Sequence, residues 1–358
     1  MARKQDPVIR EFILTNIEGH PDSVAGMAAK KFGLSRTGIA RYMGRLIEDG
    51  LITAEGKTRS RRYTLKPLVD FLLPLERGVM PPWTEDTVWR ERILPLIKNV
   101  SQNIIDICQY GFTEMLNNVI DHSESPDAAV SYTRTYTKIT LCVSDNGIGI
   151  FNKIQRDFHL ADPRTALLEL SKGKITSDRR RHSGEGIYFT SRMFNKFSIL
   201  SGHLYYARLR RDDDDWLIEA QDEKDETKGT FVTMEISTNA GWTIRDVFDQ
   251  YQGDDIYFRK THVPISLGRY PGEQLVSRSQ AKRILARFTD FSEVMLDFRG
   301  VSEIGQPFAD EIFRVFKADH PDIKLVAFGT NKNIDKMIQY VQSDNSTLPL
   351  PFSGPPPS

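Results

Sequence analysis

The sequence predicts a multidomain chain: a small, mainly α head, an α/β middle and an α/β tail domain. Three observations predict it. The 358 residues exceed one ordinary domain. Residues 1–66 hold thirteen basic against seven acidic side chains, net +6, although the whole chain balances at 48 of each. The hydrophobic period also changes along the chain, from helical spacing to alternation and then to strand–helix alternation.

Composition removes several classes. With 39% hydrophobic and 27% charged residues the chain is not intrinsically disordered. Two cysteines, Cys108 and Cys142, cannot build a disulfide framework or a cysteine-rich zinc module. Both lie in apolar runs, as buried thiols of a reducing compartment do. The polar start, residues 1–7, is not a secretory signal, and no run approaches the ~20 apolar residues of a membrane span. A cytoplasmic protein is expected.

In the head, Val8, Ile9, Phe12, Ile13 and Ile17 mark a helix over 7–18. Asp22 or Ser23 caps a second helix, which ends at Gly33. Ser35 caps a third, with Ile39, Met43, Leu46 and Ile47 as its buried stripe and Gly50 as its stop. Two short strands, 51–53 and 62–65, flank a basic tip. Three helices and a basic hairpin resemble the winged helix-turn-helix family, so 1–66 is expected to be its DNA-binding domain. The resemblance implies that Ser35, Arg36, Thr37 and Arg41 face the major groove, with Arg59, Arg61 and Arg62 on phosphates or in the minor groove. Residues 67–95, with Pro67, Pro74, Pro81, Pro82 and Pro95, cannot be one helix and are expected to be a connector packed on the middle domain.

The middle domain, 96–240, carries the densest motifs. Ile104, Cys108, Phe112, Met115, Leu116 and Val119 form the buried stripe of a helix. Glu114, Asn118, Asp121 and His122 stack on a neighbouring face of it. An alternating strand, 138–143, runs into Asp145-Asn-Gly147-Ile-Gly149; Ser183-Gly184-Glu-Gly186 precedes a helical run; and Gly229-Thr230 opens a strand. These four elements, in this order, resemble the Bergerat-type (GHKL) ATPases, the superfamily of gyrase B, the heat-shock chaperone, histidine kinases and mismatch-repair ATPases. That resemblance implies an α/β sandwich holding ATP and Mg²⁺.

Under it, the Asn118 side-chain oxygen is the protein ligand of Mg²⁺ and Glu114 orients or deprotonates the group attacking the γ-phosphate. Asp145 accepts a hydrogen bond from the adenine amino group, Gly147 and Gly149 let backbone approach base and sugar, and Gly184 and Gly186 open a helix whose amides receive phosphate oxygens. Thr230 lies near the adenine and Asp121 supports the ligand. Residues 151–182 would form a lid whose basic cluster, Lys172, Lys174 and Arg179 to Arg181, clamps phosphates or is solvated. The acidic run 212–215 reads as a turn between strands.

After a connector, 241–262, strands and helices alternate through 263–345. The segment 293–305 resembles the STAS fold of anti-anti-sigma factors. There a phospho-accepting serine begins the helix after the strand; here Gln306 and Pro307 stand in its place, so a docking module is expected instead. Residues 346–358 form a proline-rich tail.

The expectation is an ATP-binding, ATP-hydrolysing regulator in which Mg²⁺–ATP controls a DNA-binding head and a STAS-like module that docks a protein partner. A homodimer suits a DNA binder, though no heptad seam specifies one. Two alternatives stand beside it: a serine/threonine protein kinase acting on a partner in trans, and a non-catalytic interaction protein stabilised by ATP. The Glu114–Asn118 pair is shared by hydrolysing members and anti-sigma serine kinases, so it does not separate hydrolysis from phosphotransfer.

Overall fold

The computed structural model describes residues 6–57, 60–76, 83–175, 184–210, 214–219, 227–251, 258–269 and 273–343. The chain divides into two compact units, Met1–Lys153 with Phe189–Val247, and Ile154–Tyr188 with Phe248–Ser358.

The first unit opens with α1 (Pro7–Asn16), α2 (Val24–Phe32) and α3 (Arg36–Glu48). Each boundary has a local cause. Asp6 caps α1, Gly33 ends α2 in the left-handed region, and the Ser35 hydroxyl accepts the Gly38 N–H to start α3. Ile13, Leu14, Ile17, Val24, Ala28, Met43 and Leu46 close one core beneath the antiparallel pair β1 (Ile52–Glu55) and β2 (Arg62–Leu65).

A seven-stranded antiparallel sheet comes next, in the order β3-β4-β5-β9-β6-β7-β8. Its strands are β3 (Val69–Glu76), β4 (Asp127–Arg134), β5 (Lys138–Asp145), β6 (Lys196–Gly202), β7 (Leu204–Leu209), β8 (Asp214–Glu219) and β9 (Thr227–Ser237). Part of the expected connector is therefore an edge strand. In β3, Val69, Phe71, Leu73 and Leu75 turn inward while Asp70, Leu72, Pro74 and Glu76 are exposed, a two-residue period. Pro74, which forbids a helix there, is tolerated at a sheet edge. A short α4 (Glu85–Val88), a wide helical turn (Trp89–Ile93) and a tight one (Leu94–Leu96) lead to α5 (Gln102–His122), which packs on β5 and β9.

The head is tied to this sheet. The Tyr136 hydroxyl donates to Glu11 of α1 at 2.7 Å, and Lys138 pairs with Glu18 at 3.0 Å. The remaining helices of the chain's middle are α6 (Ile150–Asp157), α7 (Pro163–Lys172), α8 (Gly186–Met193) and α9 (Ile244–Tyr251), the last lying inside the second expected connector.

The second unit is built on a parallel sheet, β10 (Lys260–Pro264), β11 (Glu293–Asp297) and β12 (Lys324–Phe328), in that order. Helices α10 (Arg278–Leu285), α11 (Gln306–Asp310), α12 (Lys317–Asp319) and α13 (Lys332–Gln342) alternate with these strands, a wide helical turn, Glu311–Phe316, joining α11 to α12. Segment 154–188 belongs to this unit, because α7 packs along β10.

Candidate functional site

On α5, Cys108, Phe112, Met115, Leu116 and Val119 are buried toward the sheet. Glu114, Asn118 and His122 are half-buried and Asp121 is exposed, so the polar stripe flanks the buried one. Ser123 closes the helix. Its hydroxyl donates to the Val119 carbonyl at 2.7 Å, and its own carbonyl accepts the Ile148 N–H at 2.9 Å. The end of α5 is thereby stitched to the loop that leaves β5.

Alternation along β5 decides where that loop's carboxylate sits. Ile139, Leu141 and Val143 face inward, and Asp145 is the next member of the same row. Asp145 is buried and lies opposite Thr230, which continues the inward row Val232, Met234 and Ile236 of β9. Burial pushes the Asp145 carboxyl above its usual range, and the N–H groups of Gly147 and Thr230 pull it back. The Gly147 N–H donates to it at 2.8 Å. A Cβ on Gly147 would stand 1.9 Å from the Ser123 carbonyl oxygen, so this close approach of loop to helix end requires glycine.

Three hydroxyls complete the arrangement. The Ile150 N–H is shared by the Thr230 hydroxyl at 3.0 Å and the Ser201 hydroxyl at 3.2 Å, while Ser201 donates to the Gly229 carbonyl at 2.7 Å. Ser125 accepts the Asn146 N–H at 3.2 Å. The sequence pattern does not single out Ser123, Ser125 or Ser201. They stand just past or at the ends of elements, where short hydroxyl side chains commonly bond backbone, but many other serines do too. The first unit thus brings Asp145, Gly147, Gly149 and Thr230 together, with the end of α5 against them.

The expected Mg²⁺ ligand suits that ion. Mg²⁺ takes hard oxygens and keeps several waters, so one side-chain carbonyl such as that of Asn118 suffices on the protein's side. Among the described residues no group of three or more His, Cys, Asp or Glu could form a metal cage.

In the second unit Gly184 and Gly186 precede and open α8, with the Ile175 N–H donating to the Gly184 carbonyl at 3.2 Å. Thr176 to Ser183, with the arginines of the expected phosphate clamp, lie outside the described residues, as do Asp212 and Asp213 of the acidic run. The two lysines expected with those arginines are committed elsewhere. Lys172 is fully buried, 2.5 Å from Glu169 and 2.8 Å from the Ala286 carbonyl. Lys174 donates to the Asp290 carbonyl and lies over the rings of Phe258 and Phe291. Both serve the fold of this unit because α7 and the turn after it pack into it.

In the parallel sheet, His262 in the middle of β10 and Asp297 at the end of β11 are buried and 2.9 Å apart, and Arg299 forks onto the same carboxylate. Gln306 and Pro307 begin α11 after Gly305, and Ser302 stands exposed in the loop before it. In the head, Arg36, Thr37 and Arg41 are exposed on one face of α3, while the Ser35 hydroxyl is engaged as its cap. Arg61 and Arg62 are exposed at β2, Arg61 over the Tyr63 ring and Arg62 3.8 Å from Asp22. Arg59 lies outside the described residues.

No curated protein matches the chain. No helix of the described residues is long and apolar enough to cross a membrane. Residues 280–335, which span most of the alternating strands and helices of the second unit, match the family model of a STAS-like domain of unknown function (DUF4325), and the C-terminal part of the chain is STAS-like.

Proposed function

We propose that the middle of the chain is a Bergerat-type nucleotide domain that binds ATP with Mg²⁺, and that its occupancy governs a DNA-binding winged helix and a STAS-like docking domain. One observation carries this reading: a buried carboxylate, Asp145, is held by backbone amides opposite Thr230, in a loop pinned to the end of the helix that bears Glu114 and Asn118. Burying a carboxylate that has no salt bridge among the described residues costs stability, so a site that needs its acceptor oxygen is the natural reason for it.

In this reading Asp145 accepts a hydrogen bond from the adenine amino group and Gly149 keeps the loop low against base and sugar. Gly184 and Gly186 receive phosphate oxygens on backbone amides. Asn118 offers its carbonyl to the metal, which neutralises phosphate charge when bound, and Glu114 orients the attacking water. On the head, Arg36, Thr37 and Arg41 are exposed on α3, and Arg61 and Arg62 are exposed at the hairpin, basic groups suited to a phosphate backbone. Ties from Glu11 and Glu18 of the head to Tyr136 and Lys138 beside β5 offer a physical route between nucleotide and DNA sites.

The test tracks the label of γ-labelled ATP with Mg²⁺ on the full chain, wild type beside Glu114→Ala. Free phosphate that disappears in the variant supports hydrolysis. Label appearing on protein favours phosphotransfer instead. Absence of ATP binding by calorimetry overturns the nucleotide reading.

A further inference from the structure

The two edges of the parallel sheet in the second unit differ. β10 is covered: α7 packs along it, the Thr261 hydroxyl donates to the Lys172 carbonyl at 2.7 Å, and Thr261 to Pro264 are all buried. β12 is the other edge, inside the segment that matches the STAS-like family. There Lys324, Ala327 and Phe328 are exposed, Leu325 and Val326 are half-buried, and among the described residues no strand pairs beyond them. The Lys324 N–H donates to the Ser292 carbonyl at 2.8 Å, and the Phe328 carbonyl accepts the Phe298 N–H at 2.9 Å, so both residues spend their backbone on the β11 side. Alternate residues of a parallel ladder bond to the same neighbour, so Leu325 and Ala327 aim their N–H and C=O groups away from the sheet.

Edges that stay unpaired are commonly blunted by a proline, a bulge or charges along the strand. β12 pairs with β11 in unbroken register from Lys324 to Phe328, and Leu325 to Phe328 hold neither proline nor charge. Two ion pairs border this edge, and in each the cation is the more exposed partner. Lys324 lies 3.3 Å from Glu293, their side chains 67% and 23% exposed. Arg299 forks onto the buried Asp297, its guanidinium 5.3 Å from the centre of the exposed Phe328 ring. Outward backbone groups call for another strand, and outward cations call for carboxylates on it. A second copy of β12 meets the first need and fails the second. Antiparallel about Val326, it would set its own Lys324 opposite Phe328, beside the Arg299 guanidinium, and like charges so placed oppose pairing.

We propose that β12 is the docking edge of the STAS-like domain, and that its occupant is an extended segment of another protein, apolar at its centre and acidic at its ends, added as a further strand. Resting on the docking reading above, this gives that reading a surface and a partner chemistry, and it needs no nucleotide. Backbone pairing at Leu325 and Ala327 supplies the affinity, while Lys324 and Arg299 select for acidic ends.

The probe is a fluorescein-labelled peptide, Glu-Thr-Val-Ile-Val-Thr-Glu, titrated into the full chain and followed by anisotropy. Two controls accompany it, one with lysine at both ends and one N-methylated at its three central residues, which cannot donate from them. Wild type binds the acidic peptide, and both controls bind at least about tenfold more weakly. Ala327→Pro removes an outward N–H, leaves the bonds to β11 in place and weakens the acidic peptide by at least about tenfold. An N-methylated peptide that binds as well, or an Ala327→Pro chain that binds unchanged, overturns the proposal. Should Ala327→Pro fail to fold by circular dichroism, hydrogen exchange on the wild-type chain decides. The acidic peptide slows exchange across 322–330; protection elsewhere in the STAS-like domain overturns the β12 edge and leaves docking standing, and binding nowhere in that domain removes both. Sedimentation of the chain alone covers the remaining occupant, since a dimer that Ala327→Pro makes monomeric gives the edge to a second copy and overturns the proposal.

Discussion

Asp145 and Thr230 face each other across the β5–β9 ladder, and the Thr230 hydroxyl accepts the Ile150 N–H at 3.0 Å from the same loop that Asp145 begins. One threonine thus fixes both ends of a turn whose first residue is a buried acid. Thr230→Val keeps shape and removes the acceptor. It should cost about 1 kcal/mol in urea unfolding, softened by Ser201, which shares the same N–H. Adenosine affinity should fall with it if Asp145 reads the base.

Asp145→Asn should separate stability from function. Burial raises the Asp145 pKa in the fold, so between the unfolded value, about 3.9, and the raised folded one the native state holds more protons than the unfolded state. Above that window the fold carries an uncompensated penalty, which asparagine removes while its oxygen still accepts from Gly147. The variant should be as stable as wild type or more so at pH 7, with the difference shrinking toward pH 4, and bind ATP about tenfold more weakly. Urea midpoints at the two pH values, with calorimetry, check it. A variant that is less stable at neutral pH, by a margin that does not shrink in acid, would contradict the burial argument.

In the buried cluster Glu169, Lys172 and Arg287, Glu169 faces both cations, while Asp290 also lies 3.4 Å from Arg287. Lys172→Met leaves Glu169 with Arg287 and should be neutral or stabilising by up to about 2 kcal/mol, whereas Glu169→Ala removes the carboxylate paired with the fully buried Lys172, leaves Arg287 with Asp290, and should cost about 3–5 kcal/mol. Burial lowers the Lys172 pKa to about 8, with Glu169 opposing the shift. The unfolded lysine keeps its proton to about 10.4, so this group's contribution to stability rises between those values. Chemical denaturation of the two variants from pH 7 to 10 tests both statements; Lys172→Met should flatten the alkaline rise.

Asp297 behaves in the opposite sense. Burial pushes its carboxyl up, but hydrogen bonds from His262 and Arg299 outweigh burial and hold it well below the usual carboxylate range. Its stabilisation is therefore complete above the unfolded pKa and is lost as pH falls through the folded one. Asp297→Asn should cost about 3 kcal/mol at pH 7, and the gap to wild type should narrow in acid below about pH 4. A gap independent of pH would show that packing, and not the charge, matters there.

In the head, cap and contact residues should come apart. Ser35→Ala removes the N-cap of α3 and should cost about 1 kcal/mol of stability. Arg41→Ala, at an exposed position on the same helix, should leave stability unchanged within about 0.5 kcal/mol. If DNA lies along this face, it should lower affinity and reduce the salt dependence by about one unit of slope. Thermal melts and salt-titrated binding to duplex DNA measure the two effects.

The sequence by itself determined the local elements, since each arises from short-range causes. Asp6, Ser35 and Gly33 set helix ends, the stripe from Ile104 to Val119 made α5 amphipathic, and alternation from Lys138 placed Asp145 at the end of an inward row. The strand–helix alternation from residue 263 likewise reads as an α/β domain with helices beside a sheet, and the fold makes that sheet parallel. Only the tertiary structure decided which partners those elements met. Val69–Glu76 reads as a proline-broken connector until β4 lies beside it, because an edge strand draws its hydrogen bonds from a segment far along the chain. Lys172 and Lys174 look like phosphate-clamping or solvated lid residues until α7 is seen packed on β10, where Glu169, backbone carbonyls and aromatic rings surround them. Charge and spacing travel with the sequence, but what a charged group faces is a long-range property, set by which surfaces the folded chain buries together.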